Sequence, residues 1–201
     1  MAGEGKTTVA LGLALSAARL HQRVLLIDAN LRSPSLHHQL NLSNDQGLST
    51  LADLDYKSLN LHSLNSNTDI LTAGPIPSDP VRVLSSKRIK EWIKSFEGDY
   101  DLVILDASSV LGIVDAIQTA SLCNGVLMVA RLDRITQSDL IQAVTTLGES
   151  NVLGIVANEA KNLKLHYNNQ TSIEEEFFVP QQHGLLNNKG IADQLDKVKL
   201  P

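Results

Sequence analysis

The chain has 201 residues, 43% of them hydrophobic and 19% charged, which suits one globular domain large enough to bury a core. Its formal net charge of -5 gives no support to nucleic acid as the main ligand, because binding to a phosphate backbone needs a basic surface. The single cysteine, Cys123, excludes an internal disulfide framework and suggests a reducing compartment, and no apolar run reaches the ~18 residues that span a bilayer.

The chain opens on Gly3-Glu4-Gly5-Lys6-Thr7-Thr8, followed by a helix-forming, almost wholly apolar stretch over 7–20 that predicts a buried helix. Met1 to Arg19 has the outline of a secretory leader, but Glu4 cancels the positive charge at its head. Val24-Leu25-Leu26-Ile27 reads as a strand covered on both faces and ends at Asp28. Residues 29–50 are polar and read as a loop with a short helical piece. A weaker strand at Asp69–Thr72 is closed by Ala73-Gly74-Pro75-Ile76-Pro77.

Over 81–96, Leu84, Ile89, Trp92, Ile93 and Phe96 form one stripe, with Lys87, Arg88, Lys90 and Lys94 off it, which predicts one amphipathic helix. The basic cluster is a solvated helix face or a contact for an anionic leaflet or protein. Leu102–Leu105 is a second buried strand, ended by Asp106. A helix is expected over 113–123, a third strand over 125–129, and a helix from the capping-box spacing Thr136–Asp139 to about Leu147. A fourth strand, 152–156, leads to Asn158. The alternation predicts an α/β fold with a mostly parallel sheet flanked by helices. Residues 1–162 form the expected nucleotide-binding unit. Residues 163–201 form a polar tail peripheral to it, with at most an edge strand near Phe177-Phe178-Val179.

The glycine-rich opening fills the last positions of the phosphate-loop pattern G-x-x-x-x-G-K-[ST]; its first glycine would fall one residue before Met1. In that reading Gly3, Glu4, Gly5, Lys6, Thr7 and Thr8 bind phosphate. Backbone amides and the helix N-terminus face the anion, Lys6 reaches the β- and γ-phosphates, and the Thr7 hydroxyl ligates Mg²⁺. The plain structural reading is a glycine-rich helix start with a solvated lysine. Asp28 and Asp106 end parallel strands, at the edge where ligands of α/β sheets bind, so they are candidate catalytic and metal-binding carboxylates. The alternative is turn or capping aspartates. His37-His38 is a solvated pair more readily than a metal site, since neighbouring helical residues do not face each other. Cys123 reads as a small buried hydrophobe.

These pieces, in order, resemble the MinD/ParA superfamily of P-loop ATPases, and within it the bacterial tyrosine kinase domains of exopolysaccharide co-polymerases. Ala2–Thr8 is similar to P-G-E-G-K-[ST]-T, and Val24–His37 to an apolar strand with D-x-D-x-R-x-P. Gln46–Ser49, Leu71–Pro80, Tyr100–Asp106, Asp115-Ala116 and Gly125–Val129 continue the match. Leu153–Asn158 is similar to L-G-x-V-x-N. The resemblance implies ATP with Mg²⁺, Asn158 at the adenine, and a homo-oligomer at the cytoplasmic face of the membrane. It also implies a polysaccharide co-polymerase partner, joined upstream in the same chain or separate.

The pattern is broken at four places. Asn30 replaces the second aspartate of D-x-D. Ala107-Ser108-Ser109 replaces T/S-P-P. The tail has one tyrosine, Tyr167, and no cluster. Met1 stands at the MinD branch's signature lysine, which the kinases also lack. Family members place a buried strand immediately before the phosphate loop. None precedes Gly3 here, which leads to the expectation of a fragment with membrane and periplasmic parts upstream. Three functions are compatible with these residues: a tyrosine autokinase of polysaccharide export, a MinD/ParA-type partitioning ATPase, and a nucleotide-binding regulatory domain with little turnover.

Overall fold

The computed structural model describes residues 3–51, 59–112, 114–131 and 133–158. The expected tail, with Tyr167 and Phe177–Val179, lies outside them, as do Met1 and Ala2. Helix α1 (Lys6–Arg19) leads into strand β1 (Val24–Asp28), short helix α2 (Leu36–Leu40) and a 3-10 turn over Leu48–Thr50. Strands β2 (His62–Asn65) and β3 (Thr68–Leu71) precede helices α3 (Pro80–Leu84) and α4 (Lys87–Asp99). Then come β4 (Leu102–Asp106), α5 (Asp115–Ala120), β5 (Val126–Arg131), α6 (Gln137–Thr146) and β6 (Val152–Asn158).

One sheet has the order β2-β3-β1-β4 and a second pairs β5 with β6. Every pair is parallel except the β2–β3 hairpin. The parallel α/β expectation is met. β1 is buried along its whole length and alternates between two cores. Leu25 and Ile27 pack with Trp92, Ile93 and Phe96 of α4. Val24 and Leu26 pack with Ala10 and Ala14 of α1 on the other face. This two-residue alternation is what a strand between two helical layers requires. Each large apolar side chain so buried contributes on the order of 1.5–3 kcal/mol. Trp92 also donates its indole N–H to the Leu51 carbonyl, 3.0 Å away.

The stripe predicted over 81–96 is buried as expected, but the single helix is two. The Ser86 hydroxyl accepts from the Ile89 amide (3.2 Å) and starts α4 afresh. Asp79 and Pro80 start α3, with the Asp79 carboxylate accepting from the Arg82 amide at 3.0 Å. A helix start leaves its first amides without intrahelical partners, and the Ser86 side chain supplies one, so a new helix begins within a continuous apolar pattern. The Thr136–Asp139 capping box forms as expected. The turn Gln46–Ser49 lies on the end of β3, with the Leu48 amide 2.8 Å from the Thr72 carbonyl. Gly47 is needed there because a Cβ would meet the Thr72–Gly74 backbone.

Two burial expectations fail. In α1 only Ala10 and Ala14 are buried, and Leu13 is 44% exposed. β4, β5 and β6 are mostly half-buried instead of fully covered. For α1, β4 and β5 the cause is the same. β4 has β1 on one side, β5 has β6, and neither has a second strand neighbour among the described residues. Between them lies an apolar cleft of about 950 Å³, also lined by Val9 and Leu13.

Candidate nucleotide-binding site

The phosphate-loop residues, Asp28, Asp106 and Asn158 come together where α1 begins and where β1, β4 and β6 end. Gly3 and Gly5 have φ of +92° and +86°, the left-handed region that suits glycine. Gly5 is the N-cap of α1, and no side chain caps that helix start. Its first amides and its partial positive charge are thereby directed at the space above the loop. Asn158, at the end of β6, donates its side-chain amide to the Glu4 carbonyl at 2.8 Å. A Cβ on Gly5 would run into that amide. Asn158, expected at an adenine, is thus also a prop beneath the loop.

Lys6 ion-pairs with Glu4 at 2.6 Å. Burial opposes ionisation of Glu4, but the Lys6 ammonium holds its carboxyl below the usual carboxylate range. Thr8 is exposed on the first turn of α1. The Thr7 hydroxyl donates to Asp106 Oδ2 at 2.5 Å and lies 3.5 Å from the Ser35 hydroxyl. Asp106 is only 3% exposed. Burial pushes its carboxyl up to about 6; the Thr7 hydrogen bond and Lys6 oppose this, and the Asp28 charge adds to it.

Asp28 and Asp106 are register partners on β1 and β4, and the Ala29 amide donates to the Asp106 carbonyl at 2.9 Å. Asp28 is fully buried. Burial raises its carboxyl pKa against three backbone donors. These are the amides of Leu36 (3.0 Å), Ser35 (3.1 Å) and Asn30 (3.1 Å). A carboxylate has about four acceptor sites, so one remains for another ligand. Asn30 donates its side-chain amide to the Ser33 carbonyl at 2.8 Å. An aspartate at 30 would set an oxygen against that carbonyl, so the departure from D-x-D belongs to the local turn as well as to the site's charge.

Two adjacent buried carboxylates and a threonine hydroxyl are an all-oxygen donor set with excess negative charge. That suits Mg²⁺, which takes one or two carboxylates plus phosphate and water and not a closed protein cage. Among the described residues no group of three His, Cys, Asp or Glu could hold a metal alone. The His37 and His38 rings do meet, with centroids 3.9 Å apart, contrary to the expectation that neighbours diverge. Cys123 donates to the Thr119 carbonyl, and burial pushes its thiol up to about 11, so it is no nucleophile at neutral pH.

Sequence reasoning missed two connections near this site. Arg131, ending β5, reaches the Gly3 carbonyl at 3.4 Å. Asp115 holds Arg32, which had been noted only as part of a motif. A basic residue at the end of an apolar strand was the available signal for the first. Nothing in the spacing pointed to the second pairing.

The profile of the CobQ/CobB/MinD/ParA nucleotide binding domain matches residues 1–185. The chain belongs to that family. Within this nucleotide-binding family it falls in the bacterial tyrosine kinase branch. It is 36% identical over 169 residues to tyrosine-protein kinase YwqD of Bacillus subtilis (strain 168), covering 82% of this chain and 70% of YwqD. The kinase domain of VpsO has the same fold, with a TM-score of 0.74 and 30% identity over 80% of this chain and 81% of that one. Tyrosine-protein kinase etk of Escherichia coli (strain K12) is 32% identical over 158 residues, 77% of this chain but 22% of etk. This nucleotide-binding domain therefore spans about a fifth of that longer relative. Among its described residues no helix is long and apolar enough to cross a membrane.

Proposed function

We propose that this domain binds ATP with Mg²⁺ and transfers the γ-phosphoryl group to a tyrosine hydroxyl, as the kinase unit of a system that controls exopolysaccharide chain length and export. The observation that carries the reading is the Thr7–Asp106 contact at 2.5 Å, set beside Lys6 and a helix start free of side-chain caps. Backbone amides of Gly3–Thr8 cradle the phosphates. Lys6 leaves Glu4 for the β- and γ-phosphate oxygens, whose growing charge it neutralises. Thr7 and Asp106 would hold Mg²⁺, and the one free site on Asp28 would face either a water of the ion's shell or, in the transfer step, the tyrosine proton. When bound, the ion neutralises phosphate charge and aligns the γ-phosphoryl group.

In the transfer, the bond from the γ-phosphorus to the bridging oxygen breaks and leaves ADP. The tyrosine oxygen forms the new bond, and its proton passes to Asp28, a buried carboxylate of raised proton affinity. Tyr100 is a poor acceptor, since its hydroxyl already donates to Asp69 at 2.8 Å. The names of the relatives support the kinase reading, and the resemblance to co-polymerase kinases supports a polysaccharide co-polymerase partner. Location at the cytoplasmic face of the membrane and a homo-oligomeric ring belong to the same proposal. Asn30 favours a second reading, a nucleotide-binding regulatory domain of low turnover, because it removes one carboxylate from the site.

Incubation with γ-labelled ATP separates these readings. Label on tyrosine, in this chain or an added acceptor, supports the kinase. Free phosphate alone supports a switch ATPase, and ATP binding without turnover supports the regulatory domain. Unchanged ATP affinity in Lys6→Ala overturns the phosphate-loop assignment altogether.

A further inference from the structure

We propose that Arg32 is a positioning residue which, through Asp115, fixes the segment following β4 and thereby the metal-binding carboxylate of Asp106. The proposal rests on the nucleotide-binding reading above. Arg32 lies in the turn after β1, the same turn whose amides surround Asp28. Its Nε donates to Asp115 Oδ2 at 2.6 Å and its Nη2 to Oδ1 at 3.0 Å. Asp115 opens α5 and its side chain is 2% exposed, while that of Arg32 is 50% exposed. The residues are 83 apart in sequence. The two parallel bonds hold orientation as well as distance, which a lysine's single ammonium does not.

The stretch from Asp106 to Asp115 is therefore held at both ends. At its start Asp106 meets Thr7, and at its finish Asp115 meets Arg32. Between these clamps the hydroxyl of Ser108 is buried with no hydrogen-bond partner, and Val110 packs against the cluster of Ala120, Leu147 and Val152. The Arg32 side also reaches further into the fold. The Asp79 carboxylate, N-cap of α3, adds to the negative field on Arg32, and α3 packs on α5. The turn that carries Asp28 and the helix that ends the Asp106 segment are thus one mechanical unit. A change at the phosphate end is carried to α5 through this ion pair. Cutting it leaves a buried carboxylate without its partner and frees the far end of the stretch.

The test is ATP affinity, with and without Mg²⁺, in wild type, Arg32→Ala and Arg32→Lys, each checked for a cooperative melt. In wild type, Mg²⁺ is expected to tighten ATP binding by about tenfold or more. In Arg32→Ala the Mg²⁺-free affinity, set by the loop and Lys6, stays within about twofold, while the Mg²⁺ enhancement falls by about fivefold or more. Arg32→Lys keeps the charge without the fork and gives an intermediate enhancement; it carries the test if the alanine variant does not fold. A purely structural role would lower the melting temperature and leave the Mg²⁺ enhancement intact. A folded variant with wild-type Mg²⁺ enhancement overturns the proposal. Wild type that binds no ATP overturns the nucleotide-binding reading instead, so the two failures are distinct.

Discussion

Thr7 and Asp106 are 99 residues apart in the chain, yet the Thr7 hydroxyl donates to the Asp106 carboxylate across 2.5 Å. One belongs to the first turn of α1 and the other ends β4, beside Asp28 on β1. Parallel strands deliver their carboxyl ends to one edge of the sheet, and α1 packs on β1 and β4 with its N-terminus at that edge. The contact is thus a product of the topology. Burying the Asp106 carboxylate beside Asp28 costs stability, and the Thr7 hydrogen bond offsets part of that cost.

Asp106→Asn is expected to stabilise the protein at neutral pH in the absence of nucleotide. The folded-state carboxyl titrates at about 6, against an ordinary 3.8. A carboxyl raised in this way favours the fold below pH 4 and loses that contribution as the pH rises through about 6. Above that, the ionised form costs on the order of 2–3 kcal/mol. Thermal melts should therefore show the variant more stable than wild type at pH 7.5 and no more stable at pH 4. A variant less stable at both pH values contradicts the buried-charge argument.

Glu4→Gln is expected to tighten ATP binding. Lys6 is engaged by the Glu4 carboxylate at 2.6 Å, and an incoming phosphate has to replace that partner. Partly exposed pairs of this kind are worth about 1 kcal/mol, so calorimetry should find affinity raised by about threefold to fivefold. An affinity lowered tenfold would mean that Glu4 steadies Lys6 for its ligand.

An extended apolar segment of about six residues, joined upstream of Met1, is expected to raise the melting temperature by at least about 5 °C. The cleft between β4 and β5 leaves Leu102 and Leu127 at 36% and 40% exposure, and a parallel strand would cover both. A segment of the same length made of Ser and Gly is the control. Equal melting temperatures for the two fusions would show that the cleft does not take a strand.

The parts of the fold legible in the sequence were the ones with strong local signals. Val24–Ile27 is an unbroken apolar run and proved buried along its length. Thr136 and Asp139 have capping-box spacing and made the box. The break between α3 and α4 was missed because apolar spacing continues across Ser85-Ser86, and only the capping role of Ser86 reveals the restart. Strand β2 was missed because it is a polar hairpin edge, mostly exposed, with no alternation to see. Its one signal was the turn-forming Asn65-Ser66-Asn67, where the Asn65 side chain accepts from the Asn67 amide at 2.9 Å.

The candidate site was legible in its parts and not in its connections. Lys6, Thr7, Asp28 and Asp106 were marked by motif and by strand ends. The occupation of Asp28 by three amides, the Asn158 prop and the Arg32–Asp115 fork depend on pairings between distant segments, which no local periodicity encodes. The apolar composition of α1 suggested full burial. The structure shows that apolar residues report what a surface needs covered, and here one side of the helix borders the open cleft.

The most direct test of the account is calorimetric titration of ATP into wild type and Asp106→Asn, each with and without Mg²⁺. Mg²⁺ is expected to strengthen wild-type binding by about tenfold or more, and that gain to vanish in Asp106→Asn while Mg²⁺-free binding persists. Equal Mg²⁺ enhancement in the two proteins would contradict the convergence of the carboxylates and the phosphate loop on one metal–nucleotide site.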